Sequence, residues 1–190
     1  STQMTITGAK GAALAREEGI SRIVPARELS LDELVLLGGE SGVEIEAFIH
    51  GAMCYCYSGQ CLFSSLLGGR SGNRGRCAQP CRLPYRIDEE ENRHQPFPDP
   101  DKKQFCYPLS MKDMCTIDLI PELIEAGIRS FKIEGRMKNP AYTAGVTALY
   151  RKYIDQYYQD KKNYQVTARD RKLLGSLYIR SETGDGYYHR

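Results

Sequence analysis

Seven cysteines, all lying between Cys54 and Cys115, are the residues of this 190-residue chain whose type and spacing most directly offer chemistry. Cys54-Tyr-Cys56-Tyr-Ser-Gly-Gln-Cys61 continues through Ser71-Gly-Asn-Arg-Gly-Arg-Cys77 to Cys81. Beyond an acidic stretch follow Cys106 and Cys115. An odd number of cysteines crowded into one segment is unlike the even, dispersed set of a disulfide-stapled domain, so reduced thiols available to a metal are expected. Thiolate sulfur selects zinc or iron–sulfur, and four such ligands close a zinc tetrahedron or a [4Fe–4S] cluster alike. Spacing alone leaves both open, with ordinary buried or redox thiols as the third reading. Paired C-x2-C knuckles are absent, and His50 and His94 do not stand at zinc-finger spacing.

A second constellation is cationic. Between Glu46 and Asp88 there is no acidic residue, yet Arg70, Arg74, Arg76, Arg82 and Arg86 fall within seventeen positions. Arginine forks bind phosphate and stack on bases, so this Gly-rich loop points to RNA or a phosphate-bearing substrate; solvation of the loop or neutralisation of thiolates is the plainer alternative. In Phe131-Lys132-Ile133-Glu134-Gly135-Arg136, period two places Lys132 and Glu134 on one face as a possible working pair, with Arg136 just beyond. His50, four residues before Cys54, makes a Cys–His nucleophile pair conceivable.

These groups need elements to position them. The first fifty residues read as alternating strands and helices: a strand over Thr2–Thr7, a helix over Ala9–Glu18, a strand over Ile20–Ala26 and a helix over Leu31–Leu37 opened by a Ser30–Glu33 capping box and ended by Gly38-Gly39. Val43, Ile45, Ala47 and Ile49 then alternate with polar or aromatic residues as a third strand. Periodicity disappears from Gly51 to Lys103, and Asp88–Lys103 reads as the most solvent-exposed part. Beyond it come a Phe105–Leu109 strand, a Thr116–Ala126 helix, an Arg129–Glu134 strand, a long amphipathic helix after Asn139-Pro140 and a helix over Arg169–Tyr178. The Gly184–Arg190 tail carries no readable pattern. The expectation is an α/β fold, either a small open sheet or part of a (β/α) barrel, since four or five βα units are too few for a closed barrel of about 250 residues.

Composition bounds the rest. With 26 Lys+Arg against 24 Asp+Glu, the net charge of +2 is too small to make the whole surface attract polyanions, so any such contact must be local. No apolar run approaches the roughly 20 residues that span a bilayer, which excludes a membrane helix. The opening Ser1-Thr2-Gln3 has no secretory character, and together with reduced cysteines this gives a cytoplasmic expectation.

The run Glu46-Ala-Phe-Ile-His-Gly-Ala-Met-Cys54, with Ser58-Gly-Gln-Cys61 and Ser64-Ser65, closely resembles the signature of the peptidase U32 family, the collagenase-like proteins. The resemblance continues through Asn73–Arg82, Leu109–Asp113, Ile120–Gly127 and Ser130–Arg136, and covers about Ser1 to Asp155. It implies a partial (β/α) TIM-like barrel over residues 1–162, carrying a Cys/Arg-rich insertion at 51–104, followed by a helix and tail at 163–190. Ser1-Thr2-Gln3 looks like the family's mid-barrel strand, which implies that the first barrel strands are absent. Several branches of the family resemble hydroxylating proteins that act on tRNA, ribosomal RNA or a ubiquinone precursor and carry a [4Fe–4S] cluster. Matched by position, its ligands fall on Cys54, Cys61, Cys77 and Cys115, with Cys81 the alternative to Cys77 and with Cys56 and Cys106 outside the set. Arg82–Tyr85 and Leu109–Asp113 look most like the branch that hydroxylates a ribosomal cytidine, where prephenate serves as hydroxyl source. The implied roles are phosphate contact by Arg74, Arg76 and Arg82, and co-substrate orientation by Lys132, Glu134 and Arg136. The family's other reading is a peptidase on collagen-like or unfolded peptide with His50 and Cys54 as base and nucleophile. A third is an RNA-binding segment without turnover.

Overall fold

Residues 1–85, 106–177 and 182–190 are described in this computed structural model. They fall into two units, one made of Ser1–Gln60 with Met111–Arg190 and the other of Cys61–Ser110. In chain order the elements are α1 (Ala9–Glu17), β1 (Arg22–Ile23), α2 (Leu31–Ser41), β2 (Glu44–Gly51), α3 (Phe63–Gly68), β3 (Asp113–Cys115), α4 (Ile120–Glu125), β4 (Ser130–Ile133), α5 (Pro140–Gln159), α6 (Ala168–Leu177) and β5 (Thr183–Gly184). Of these elements, drawn from the described residues, α3 is the one in the second unit. Among the described residues no helix is long and apolar enough to cross a membrane.

The first unit is a mixed α/β structure organised around β2. Parallel partners flank it: β1 pairs Ile23 with Ile45, and β4 pairs Phe131 with Ala47. Strand β3 runs antiparallel against the end of β2, with His50 opposite Cys115, and β5 pairs parallel to β3. Every β2 residue from Ala47 to Gly51 is buried, so the alternation of the sequence gives way to a strand covered on both faces, as central strands under helices are.

Local signals set several boundaries. Ser30 Oγ accepts from the Glu33 N–H while a Glu33 carboxylate oxygen accepts from the Ser30 N–H, the capping box expected for α2. Asn139 caps α5 by accepting from the Tyr142 N–H at 2.8 Å, with Pro140 at the first helical position. The buried face of α5 carries Tyr142, Val146, Leu149, Tyr150, Tyr153 and Tyr157. Its tyrosines tie the helix to separate elements: Tyr142 donates to the Glu134 carbonyl, Tyr150 to the Ile49 carbonyl, Tyr153 to Asp170 and Tyr157 to Glu125. A net worth of about 1 kcal/mol for each such bond makes this face more specific than aliphatic packing alone.

Elsewhere tertiary partners overrule local pattern. Thr2–Thr7 is not a strand; Thr2–Met4 forms one 3-10 turn and Thr5 is left-handed, with its hydroxyl donating to the Ser58 carbonyl at 3.0 Å. Strand β1 covers only Arg22–Ile23, and Pro25 beyond it has no N–H to extend a ladder. Gly38 and Gly39 do not end α2, which runs to Ser41. At Gly38 a Cβ would stand 3.2 Å from Ile45, so this glycine allows close packing of helix on strand, and the stop is Gly42 at φ 64°. The expected Thr116–Ala126 helix divides into a 3-10 turn at Ile117–Leu119 and α4. The tail is structured: Thr183–Gly184 is β5, Tyr188 is buried, and its carbonyl accepts from the Leu31 N–H.

In the second unit the Ser64 hydroxyl accepts from the Ala78 N–H at 3.0 Å, and Tyr85 and Cys106 exchange both backbone hydrogen bonds. Of the expected Phe105–Leu109 strand, Cys106 makes this single bridge while Phe105 lies outside the described residues, as do Asp88–Lys103 and His94.

His189 pins the tail by contacts of 2.9 Å to both Glu122 and Asp185, and these carboxylates raise its pKa above the ordinary 6.5. The contribution is full below about pH 6.5 and is lost as pH rises through the raised value. Urea unfolding from pH 5.5 to 8.5 is expected to show a loss of stability across this window that His189→Gln removes.

Candidate functional site

Polar residues gather where β1, β2 and β4 end. Arg27 follows β1 by four residues, Gly51 ends β2, and Glu134 follows β4 directly. Parallel strands converge their C-terminal ends on one rim, the place where α/β folds set their reactive groups. Gly51 is what lets two of these ends touch. It sits at φ 105°, and a Cβ there would lie 2.4 Å from the Glu134 carbonyl oxygen, while the Glu134 N–H donates to the His50 carbonyl at 2.8 Å.

Arg27 is the centre of the charge arrangement. Its Nη1 donates to Cys54 Sγ at 3.0 Å and its Nη2 to Glu134 Oε2 at 3.1 Å, with the guanidinium carbon 4.0 Å over the Phe48 ring. The Arg27 side chain is only 9% exposed and that of Glu134 13%. The other carboxylate oxygen of Glu134 accepts from the Arg136 N–H at 2.8 Å. Next to Arg27, Glu28 Oε1 accepts from the Ser58 N–H at 2.9 Å and fixes the loop just after Cys54.

Lys132 and Glu134 therefore do not form the expected pair with each other. Glu134 goes to Arg27, whereas Lys132 Nζ lies 2.8 Å from Glu46 Oε1, and Glu46 also accepts from the Ser130 hydroxyl at 2.9 Å. Glu46 and Ser130 face each other across the parallel β2–β4 ladder, which brings the Glu46 carboxylate beside both Ser130 and Lys132.

His50 is buried. Its Nδ1 stands 3.2 Å from the Tyr150 hydroxyl, and its ring packs edge-on against Tyr150 and tilted against Tyr142. Burial, then the positive charge of Lys138, lower its pKa to about 4, so the imidazole is neutral at pH 7. A base this weak, turned to a tyrosine, does not match the nucleophile-activating partner that the peptidase reading requires for Cys54.

All seven cysteines are of intermediate burial and none is in a disulfide. Three of the sulfurs show the direction of a hydrogen bond. Cys54 Sγ accepts from Arg27, and Cys77 Sγ accepts from the Gln79 N–H at 3.2 Å, an N–H aimed there by a left-handed backbone at φ 59°. Cys106, in contrast, donates its S–H to the Tyr85 carbonyl, which requires a neutral thiol. Cys61 and Cys77 flank one point of the second unit: a Cβ on Gly72 would be 3.6 Å from Cys77 Cβ and 4.0 Å from the Cys61 carbonyl. Cys115 lies opposite His50, and burial raises its pKa. No group of three or more His, Cys, Asp or Glu side chains that could hold a metal ion is found among the described residues. The expected ligands Cys54, Cys61, Cys77 and Cys115 are thus not found as such a group; Cys54 and Cys77 each accept an N–H at sulfur, as a thiolate does.

Of the expected phosphate contacts, Arg74 and Arg76 are exposed, while Arg82 is 7% exposed and donates to Ser110 at 3.0 Å. Arg86 lies outside the described residues. Arg27 and Glu28 were missed by motif reading. The available signal was position, because two charged residues right after the expected Ile20–Ala26 strand meet the same end-of-strand criterion that singled out Lys132 to Arg136.

The model of peptidase family U32 matches residues 1–190. The chain is 41% identical over 168 residues to the tRNA hydroxylation protein P1 of Bacillus subtilis (strain 168), covering 87% of this chain and 39% of that protein. It is 42% identical over 161 residues to the 23S rRNA 5-hydroxycytidine C2501 synthase of Escherichia coli (strain K12), covering 85% and 24%. To a collagenase of Porphyromonas gingivalis (strain ATCC BAA-308 / W83) it is 34% identical over 177 residues, covering 87% and 41%. The chain thus spans about two fifths or less of these relatives. No solved structure matches it.

Two measurements follow from this geometry. Gly51→Ala is expected to cost more than about 2 kcal/mol, because the new methyl meets a backbone oxygen at a strained φ, while Gly184→Ala, which opens onto free space, changes little; urea midpoints of both variants check it. The depressed pKa of His50 means that stability present above about pH 6.5 is lost as pH falls through about 4. His50→Gln is expected to flatten that part of the acid unfolding curve relative to wild type.

Proposed function

The chain belongs to peptidase family U32, and on that premise we propose that it is part of an iron–sulfur-dependent enzyme that hydroxylates RNA, either ribosomal or transfer. The carrying observation is the direction of hydrogen bonds at sulfur, with Cys54 and Cys77 placed as acceptors and Cys106 as a donor. Relatives named for tRNA and 23S rRNA hydroxylation support the substrate class. In this reading Cys54, Cys61, Cys77 and Cys115 would hold a [4Fe–4S] cluster. When bound, that cluster supplies one-electron chemistry beside the substrate.

The chain's own groups do the remaining work. Arg74 and Arg76 engage RNA phosphates from the exposed loop, whereas Arg82, being buried, holds the loop's framework through Ser110. Lys132 is half-exposed and, with Glu134 and Arg136 at the strand end, orients a small co-substrate, of which prephenate is the proposed instance. His50, neutral at pH 7, contacts the Tyr150 hydroxyl and adds no charge of its own. We further place β1, β2 and β4 within a (β/α) barrel and the protein in the cytoplasm.

Oxygen-free purification followed by iron, sulfide and zinc analysis tests this, with nucleoside mass spectrometry of RNA from expressing cells. About four iron and four sulfide per chain are expected, lost or much reduced in Cys54→Ala, Cys61→Ala, Cys77→Ala and Cys115→Ala but kept in Cys106→Ala, together with a nucleoside carrying one added oxygen. Stoichiometric zinc, absence of metal, or iron indifferent to all four substitutions would overturn it.

A further inference from the structure

Positive charge is unevenly spread along the chain. From Arg151 to Lys172, a stretch covering the second half of α5, the turn at Lys161–Asn163 and the start of α6, seven lysines and arginines stand against three aspartates. That is a surplus of +4 in a chain whose total is +2. The three aspartates are engaged within the helical hairpin: Asp155 pairs with Arg151, Asp160 accepts from the Lys162 N–H and the Asn163 side chain, and buried Asp170 takes Lys152 at 2.6 Å and the Tyr153 hydroxyl at 2.7 Å. Arg171 turns to Asp118. Lys161, Lys162, Arg169 and Lys172 remain, all exposed, and among the described residues none of the four has a carboxylate partner. They gather around one half of α5. Lys161 Nζ lies 5.3 Å over the Tyr157 ring, and the Asp170 hydrogen bond raises the Lys152 pKa while the charge of Arg169 opposes it, which places Arg169 beside Lys152.

Helix stability does not account for all of these cations. Lys161 and Lys162, just past the end of α5, meet the negative end of its dipole, where a cation is favourable. In α6 the order is reversed: Arg169, Arg171 and Lys172 crowd its start, and no basic residue stands in its last turn. Cations at that end oppose the dipole and repel one another, and a polyanion laid across them relieves both effects. Between Gln159 and Lys172 no large hydrophobic side chain is exposed, so the surface offers a bilayer nothing to bury, which favours a nucleic-acid backbone over a membrane. We propose that this face of the α5–α6 hairpin is a docking surface for the phosphate backbone of RNA, contacted by Lys161, Lys162, Arg169 and Lys172. This rests on the RNA reading given above. Helix α5 is about 30 Å long, and its first turn reaches the Glu134 carbonyl through Tyr142 while the cations lie along its far half. An RNA held at both ends is therefore a polymer, not a single nucleotide. Contacts of this kind position the RNA without reading its sequence.

The experiment is fluorescence anisotropy of a labelled stem-loop RNA and of labelled oligouridine with the full chain, across a series of potassium chloride concentrations. Three double variants are compared with wild type: Lys161→Gln with Lys162→Gln, Arg169→Gln with Lys172→Gln, and, as an equal loss of charge elsewhere, Lys10→Gln with Lys112→Gln. All six side chains are exposed, and removing cations from the start of α6 does not weaken that helix, so the fold is expected to stand by far-UV circular dichroism. Each hairpin pair is expected to weaken binding of both RNAs about tenfold at low salt and to reduce the slope of log Kd against log salt by about 1.5, while the control pair changes little. Hairpin variants that bind like wild type, or a control pair that weakens binding as much, would overturn the docking surface and leave the RNA reading standing. A wild type that binds neither RNA would overturn both. Vesicles of phosphatidylserine and phosphatidylcholine form the last arm: wild type bound to these in preference to RNA, and released by the hairpin substitutions, would also overturn the proposal.

Discussion

Gly51 can occupy φ 105° against the Glu134 carbonyl because nothing projects from its Cα, and the geometry of the strand ends in the first unit depends on that contact. A side chain there would push the exits of β2 and β4 apart. Glu134 would then leave Arg27, and Arg27 would leave the segment that carries Cys54. Residues far apart in the chain are thus aligned by one close backbone approach rather than by local preference.

Around this contact the charges are matched rather than simply collected. Arg27 with Glu134, just past the strand ends, and Lys132 with Glu46, within β4 and β2, form two pairs, and the Phe48 ring lies 4.0 Å from Arg27 and 5.6 Å from Lys132. The Arg27–Glu134 pair, being buried, gives little net stability but is costly to break, which suits fixing an orientation. Tyr150 and Tyr142 of α5 donate to the carbonyls of Ile49 in β2 and of Glu134 just after β4, and the neutral His50 contacts the Tyr150 hydroxyl, without adding charge.

The parts legible in the sequence are those decided within a few residues. The Ser30–Glu33 box, the Asn139-Pro140 start of α5 and the spacing of its tyrosines all stand in the structure because both partners of each interaction lie in one turn or on one helix face. Thr2–Thr7, Gly38-Gly39 and the tail misled or stayed silent because their outcome depends on distant partners: Ser58 for Thr5, Ile45 for Gly38, β3 for Thr183–Gly184. In the site, cysteine and arginine types announced themselves. The partner of Glu134 lies 107 residues away in Arg27, and that of Lys132 86 residues away in Glu46, distances at which no spacing rule operates.

The central claim of the proposed function is that Cys54, Cys61, Cys77 and Cys115 serve one inorganic cluster, and the coordination shell of the bound metal tests it most directly. X-ray absorption at the iron edge of the oxygen-free protein is expected to show iron surrounded by sulfur alone, with a second shell of neighbouring iron atoms. An iron shell of nitrogen and oxygen, or the absence of iron neighbours, would contradict the account.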